Sequence, residues 1–331
     1  MKLYDELYGQ YEVEDVLAEI INTETIQRLK NIHQAGAAYL VNNEWNVTRY
    51  EHSLGVMLLI RKLGGTIEEQ IAGLLHDVSH TAFSHVVDFV FDIKEQNYHE
   101  KIFENVVMNS EIPAILTKHD INLDDIFNID MWSILEQPLP KLCADRLDYT
   151  LRDMYYYFGT TQQEVVTFLE SLKIVNGEIC VSSVEMAEWF TTIYYKLVID
   201  YFLSPLNVYS YHSLANIISL SLKKGILNLD QLLLNDPTVL NIIKSSNDSE
   251  VLHLLEFLTS KVELEENEAN YDFHMVGKAR IIDVPVSFDN TTIHNSSTLS
   301  PKVRKMNEEA MEKSNRGTFV KIKTPMIPIT F

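Results

Sequence analysis

At 331 residues, with 46% hydrophobic and 22% charged residues, the chain has ordinary globular composition and apolar mass for one large or two medium domains. Its formal charge of −20 works against extended nucleic-acid binding, which needs a broad basic surface, but leaves room for one basic pocket. Two cysteines, Cys143 and Cys180, with no Cys-x-x-Cys pair, argue against a thiolate zinc site and suit a reducing compartment.

The segment Met1 to Gln10 is mixed polar and acidic, without the basic and then apolar runs of a signal peptide. No apolar stretch reaches the ~18–20 residues that a membrane helix needs. The expectation is a cytoplasmic protein with no membrane partner. Val13 to Ala35 reads as a helix, with Ile26, Leu29 and Ile32 at helical spacing. Gly36, Asn42 and Asn43 mark a loop before Arg49. His52 to Leu63 is apolar nearly all round, which predicts a buried helix stopped by Gly64 and Gly65. Thr66, with Glu69 three residues on, predicts a capping box for a helix that runs into His76 and Asp77.

His85 to Phe91 and Tyr98 to Met108 are further helical candidates, and Pro138 and Pro140 mark a break before a helix over Leu142 to Tyr157. Lys173 to Val181 alternates around Asn176-Gly177, a two-residue hairpin signal. Helical patterning resumes over Val184 to Leu203 and Tyr211 to Leu222. Beyond Asp272 the composition shifts. Lys278 to Val286 is rich in β-branched residues, Ser287 to Ser300 is polar, Lys302 to Lys313 is a charged helix and Gly317 to Lys323 alternates. The expected fold is mainly α: a helical core over residues 1–222, with a small hairpin near 173–181, then a mixed α/β lobe over 223–331.

Eleven histidines are present, and His52, His76, His80, His85 and His99 crowd one stretch. His76-Asp77 ends a buried apolar helix, and Asp145 opens the run Asp145-Arg146-Leu147-Asp148-Tyr149. Buried carboxylates are expensive unless paired or bound to metal. Two imidazoles and two carboxylates suit a borderline or hard divalent ion and leave coordination positions open for water and a phosphate oxygen.

These residues fall into three ordered motifs. Arg49-Tyr50-Glu51-His52-Ser53-Leu54-Gly55-Val56 resembles the first signature of the HD-domain phosphohydrolases. The run from Gln70 through Leu75-His76-Asp77-Val78-Ser79-His80 to His85 resembles the second, and Asp145-Arg146-Leu147-Asp148-Tyr149-Thr150-Leu151-Arg152-Asp153 the third. The similarity runs from about Ile26 to Ser219 and is strongest to the branch of the deoxynucleoside triphosphate triphosphohydrolases, which includes the sterile-alpha-motif and HD-domain enzyme. It is weaker beyond, where Lys278-Ala279-Arg280-Ile281-Ile282-Asp283 is still similar. The resemblance implies an HD-type helical bundle holding one divalent metal (Mn, Fe, Co, Ni, Zn or Mg) on His52, His76, Asp77 and Asp145, with an additional Mg carried by substrate phosphates. It implies that His80 and His85 face the scissile phosphate, that Asp88 orients one of them and that His99 is the general acid. Arg49 matches a phosphate contact, Tyr149 and Asp153 match residues around the sugar, and Gln34 matches one that reads a sugar hydroxyl. Homo-oligomers are common among such relatives.

Two departures bear on the substrate. Ala35 stands beside Gln34 where the family has a leucine, and Pro205-Leu206-Asn207-Val208 carries none of the arginines expected just before the helix holding Tyr211-His212. Lys141, Arg146 and Lys196 are the substitutes for phosphate contact, and Tyr155-Tyr156-Tyr157-Phe158 with Tyr194-Tyr195 are candidates to stack a base. The reading is hydrolysis of a dNTP to deoxynucleoside and triphosphate. A nucleotide mono- or diphosphate phosphatase, or a nucleotide-binding sensor without turnover, are the alternatives.

Overall fold

The computed structural model describes residues 1–323; residues 324–331 of the expected C-terminal lobe lie outside the described residues. The chain opens on an antiparallel hairpin of β1 (Lys2–Asp5) and β2 (Gly9–Glu12), too short to register as a strand pattern in sequence. The single helix expected over Val13 to Ala35 is broken into α1 (Asp15–Ile21), α2 (Glu24–Gln27) and a 3-10 turn (Arg28–Asn31). The break lies at Thr23, which is extended and accepts the Ile26 N–H through its side chain. Local capping thus overrides an unbroken apolar period.

α3 (Arg49–Lys62) is buried nearly all round, as its composition predicts. A capping box formed by Thr48 and Glu51 fixes its start, and Gly64, at φ 84°, follows its end. Thr66 caps α4 (Ile67–Leu75), but only half of the predicted box forms. The Glu69 carboxylate turns away and accepts the N–H groups of Ile134 at 2.8 Å and Leu135 at 3.2 Å. Buried loop donors, which sequence does not show, outbid the cap. Then come α5 (Val86–Val90), α6 (Tyr98–Met108), α7 (Ile112–Lys118), α8 (Leu123–Phe127), α9 (Ala144–Phe158) and α10 (Gln162–Ser171).

β3 (Leu172–Val175) and β4 (Glu178–Val181) form the predicted hairpin, with Asn176 and Gly177 both left-handed at φ 51° and 79°. α11 (Val184–Tyr195) continues as a π-helical turn (Lys196–Tyr201). α12 (Pro205–Lys223) starts earlier than the predicted Tyr211, because Ser204 caps it and Pro205 suits the first turn. The remainder holds α13 (Asp236–Ser245), α14 (Ser249–Phe257), β5 (Leu264–Glu266), β6 (Phe273–Met275), β7 (Pro285–Val286), β8 (His294–Asn295), α15 (Ser296–Leu299), α16 (Pro301–Arg316) and β9 (Thr318–Ile322). One sheet runs β3-β4-β7-β8, with β4 and β7 parallel, and another runs β5-β9-β6.

The architecture is mainly α, with two apolar cores. The larger gathers α1, α3, α4, α9 and α11 and takes in Ile282, Val284 and Val286. The smaller joins Ala37, Ala82, Phe83, Val86 and Val87 to α12, α13, Val251 of α14 and Val320 of β9. The histidine-rich segment between α4 and α5 is therefore wedged between the two. Among the described residues no helix is long and apolar enough to cross a membrane.

Candidate metal centre and catalytic cleft

Three elements converge on one point. α3 brings His52, the end of α4 brings His76 and Asp77, and the first turn of α9 brings Asp145. His52 Nε2 lies 3.0 Å from Asp145 Oδ1 and 3.5 Å from Asp77 Oδ2. His76 Nε2 lies 3.5 Å from Asp77 Oδ2 and 3.6 Å from Asp145 Oδ1. Both imidazoles are anchored from behind. His52 Nδ1 is 2.7 Å from Asp148 Oδ2, and His76 Nδ1 is 2.7 Å from the Gly73 carbonyl oxygen. A donor Nδ1–H in each ring leaves the Nε2 lone pair for the point of convergence. His76 Nε2 is buried there without a hydrogen-bond partner among the described residues. An orphaned imidazole nitrogen facing two carboxylates is what a divalent cation would satisfy, so the residues present fit such an ion.

The electrostatics agree. Burial lowers the basicity of His52, but Asp145 and Asp148 more than offset it and hold its pKa at about 10. Burial raises Asp145, yet His52 and His76 keep it far below the usual carboxylate range. Asp77 is likewise raised by burial and then held well down, first by Arg49 and then by His76 and His80. The pocket of carboxylates demands positive charge at its centre, and protons and Arg49 supply it when no ion does. Arg49 Nη1 reaches Asp77 Oδ2 at 2.5 Å.

Asp148 and Arg152 received no role in the sequence reading, though both lie inside the third motif. Asp148 accepts from the Tyr8 hydroxyl at 2.8 Å and from two nitrogens of Arg152 at 2.9 and 3.1 Å. Arg152 also pairs with Asp5 at 3.0 Å. Gly55 lets this pair lie flush on α3, since a Cβ there would overlap Arg152 and Asp148. The spacing of Asp148 and Arg152, four apart on a helix, was the one local signal; Tyr8 and Asp5 join only through the fold.

The second cluster stands beside the first. The His80 and His99 rings stack with centroids 3.9 Å apart, and His85 approaches them edge-on at 4.8 and 5.3 Å. His80 Nε2 is 3.1 Å from Asp77 Oδ1. Asp88 Oδ2 holds His85 Nδ1 at 3.0 Å, while Asp88 Oδ1 accepts the Tyr98 N–H. Burial depresses all three imidazoles, and His99, further lowered by His85, falls to about 3. They are neutral near pH 7 and can accept a proton.

His85 follows two left-handed residues, Phe83 at φ 62° and Ser84 at φ 53°. Such a turn costs roughly 1–2 kcal/mol per residue, so it needs restraint. Asp236 of α13 provides it: Oδ1 accepts the Phe83 N–H at 2.7 Å, and Oδ2 accepts the His33 N–H at 3.0 Å and lies 2.7 Å from His33 Nδ1. Ser84 donates to the His33 carbonyl at 2.6 Å and receives Arg49 Nε at 2.9 Å. Arg28, also unforeseen, donates to the carbonyls of Val78, His80, Leu233 and Leu234. Asp236→Asn is expected to lower stability by about 1–3 kcal/mol through loss of charge-assisted bonds. Thermal unfolding of the metal-loaded protein reads it, and an unchanged midpoint would remove Asp236 from this role.

A cavity of about 500 Å³ opens on these groups. Gln34, Arg49, His76, Asp77, His80, His85, His99, Asp145, Tyr149 and Asp153 line it; His52 and Asp88 stand behind the lining residues they hold or touch. Buried Gln34 Oε1 and Asp153 Oδ1 have no hydrogen-bond partner among the described residues. Burial, and then the nearby Asp148 charge, lifts Asp153 to about 7. Of the substitutes for phosphate contact, Arg146 lines the cavity but is committed to the Lys141 carbonyl, Cys143 Sγ and Glu136. Lys141 pairs with Glu178 at 2.6 Å, and Lys196 lies over Phe158. Tyr149 and Tyr194 face the cavity, whereas Tyr157 bonds the Val47 N–H and Tyr195 bonds Asn307.

Comparison with known proteins places these residues in a family context. The family model described as HD domain matches residues 49–153, the stretch that carries all four converging residues. The uncharacterized protein YdhJ of Bacillus subtilis is 51% identical over 97% of this chain and 99% of its own length. The metal-dependent phosphohydrolase cns2 of Cordyceps militaris is 38% identical over 51% of this chain and 49% of its own. A deoxynucleoside triphosphate triphosphohydrolase SAMHD1 homolog of Dictyostelium discoideum is 29% identical over 59% of this chain and 45% of its own. The chain thus spans nearly all of the first relative and about half the length of the other two. A crystal structure titled phosphohydrolase, from Bacteroides thetaiotaomicron, aligns over 97% of this chain and 99% of its own with a TM-score of 0.67 at 18% identity, a likeness of fold.

Proposed function

We propose, for a chain that belongs to the HD-domain superfamily of metal-dependent phosphohydrolases, that the substrate is a nucleotide and the reaction resembles that of the dNTP triphosphohydrolases. The observation that carries the reading is the orphaned His76 Nε2, set among His52, Asp77 and Asp145 and beside three neutral imidazoles in one cavity.

His52, His76, Asp77 and Asp145 would hold the metal. When bound, it lowers the pKa of a coordinated water and polarises a phosphoryl oxygen. The remaining work falls to the chain. His85, oriented by Asp88, takes the proton of the attacking water. His99 hands a proton to the leaving oxygen; as it is unprotonated when the cleft is free, it must gain that proton as the anionic substrate arrives, whose charge favours imidazolium. Arg49 turns a fork from Asp77 toward phosphate oxygens. Gln34 and Asp153 offer unpaired acceptors suited to sugar hydroxyls, with Tyr149 beside them. The cavity lies within the ~300–1,000 Å³ of small-molecule sites.

The absence of arginine from Pro205-Leu206-Asn207-Val208 favours a second reading, with fewer phosphates on the nucleotide. A screen of deoxy- and ribonucleotides against each divalent metal, read by product separation, tests both. Triphosphate released in one step from dNTPs is the expected result. Stepwise orthophosphate would replace it with the second reading, and metal-rich protein that hydrolyses no nucleotide would overturn the enzymatic one.

A further inference from the structure

Three arginines line the cavity: Arg49, Arg146 and Arg280. A cavity meant for an anion needs cationic charge that is not already spent. Arg49 is paired with Asp77 at 2.5 Å, and Arg146 faces Glu136 at 3.7 Å while its donors bond the carbonyl oxygens of Lys141 and Gln137. Arg280 differs. Among the described residues no carboxylate lies within salt-bridge distance of it.

Neutral groups fix it in place instead. Its Nη2 donates to Gln96 Oε1 at 2.8 Å, and its guanidinium lies over the Phe202 ring, 5.7 Å from the centroid. Gln96 lines the same cavity from the loop before α6, and Phe202 lines it from the end of the π-helical turn that follows α11. The guanidinium is half-buried and bridges two walls, so it is held for use rather than loose in solvent. The Gln96 amide, the Phe202 ring and a long bond from Nη1 to the Lys278 carbonyl oxygen at 3.5 Å occupy only part of its five-donor fork. Its charge also reaches His85, whose basicity is lowered chiefly by burial, then by Arg49 and, more weakly, by Arg280. The arm is thus electrically in touch with the imidazoles. Lys278, two residues earlier and exposed, adds a second positive charge to the lining.

We propose that Arg280 is the anion-binding arm of the cavity and grips the non-scissile phosphoryl oxygens of a polyphosphate ester. This inference rests on reading the cavity as a nucleotide phosphohydrolase site. It assigns the counter-charge missing from the start of α12 to the segment between β6 and β7, later in the chain but facing the same cavity. The substrate class that follows is a nucleoside di- or triphosphate, since a monophosphate leaves the arm without a ligand.

The test uses the full chain with saturating Mg²⁺ and inorganic tripolyphosphate as the probe. Arg280→Gln is expected to weaken tripolyphosphate binding by roughly 10- to 100-fold, the range for losing charge-assisted hydrogen bonds. Arg280→Lys keeps the charge but not the fork and is expected to lie between. Lys305→Gln, which removes an equal charge from exposed α16, is expected to bind as the parent does. Parental affinity in a folded Arg280→Gln protein overturns the proposal. Should that variant fail to fold, parental affinity in Arg280→Lys overturns it equally. Arg280-dependent tripolyphosphate binding by a protein that hydrolyses no nucleotide would leave the arm standing and remove the enzymatic reading instead.

Discussion

Asp145→Ala is expected to abolish metal-dependent nucleotide hydrolysis and to strip the chain of tightly bound divalent ion. Asp145 is shared by both imidazoles, as Asp77 is, and makes the shorter approach to His52, at 3.0 Å, while lying 3.6 Å from His76. Without it the set falls to three donors, and the ion's Lewis-acid contribution, several kcal/mol in the transition state, is lost. That corresponds to roughly 10³-fold or more in kcat/KM. The fold should survive, because Asp145 sits at the cavity edge with its side chain 24% exposed, so no sealed void results. Elemental analysis and turnover are the paired measurements. Undiminished hydrolysis in the mutant would refute the metal centre.

Asp148→Ala is expected to act on the fold first. Asp148 is fully buried and is shared by His52, Tyr8 and Arg152. Its removal leaves the guanidinium of Arg152, 1% exposed, with Asp5 as its remaining carboxylate. Breaking a buried pair of this kind costs about 3–5 kcal/mol. Losing the anchor of His52 should also weaken metal affinity about 10- to 100-fold. Denaturant unfolding of metal-free protein isolates the first effect, and Asp148→Asn, which keeps the shape and an acceptor, should recover part of it. A loss below about 1 kcal/mol for the alanine variant would show that this network is not a keystone.

What was legible in sequence follows from how local each signal is. His52 and Asp145 stand on helices, and the His76-Asp77 pair at the end of one, whose apolar content is strong, and their ordered motifs survive without any tertiary information. The Asn176-Gly177 hairpin is equally local, because the turn demands left-handed residues that Asn and Gly supply. Misreadings occurred where a local signal competed with a distant partner. Thr23 split a run that looked helical, and Glu69 left its cap for the backbone of Ile134 and Leu135. The contributions of Asp236 and Arg28 were illegible, because each acts on residues at least 50 positions away and carries no local motif, and Arg280 stood in a segment of family similarity to which sequence alone attached no role.

The Asp236 and Arg28 tethers have a thermodynamic corollary. The loop that presents His80 and His85 hangs from side-chain and backbone groups near the start of α13, so the two regions open and close together. Fraying of α13 would release the left-handed turn, and the cleft would lose its shape in the same event. Any ligand that requires the closed cleft must therefore slow amide exchange in α13, although it touches none of that helix. Recognition and global cohesion in this molecule draw on a common reserve of free energy.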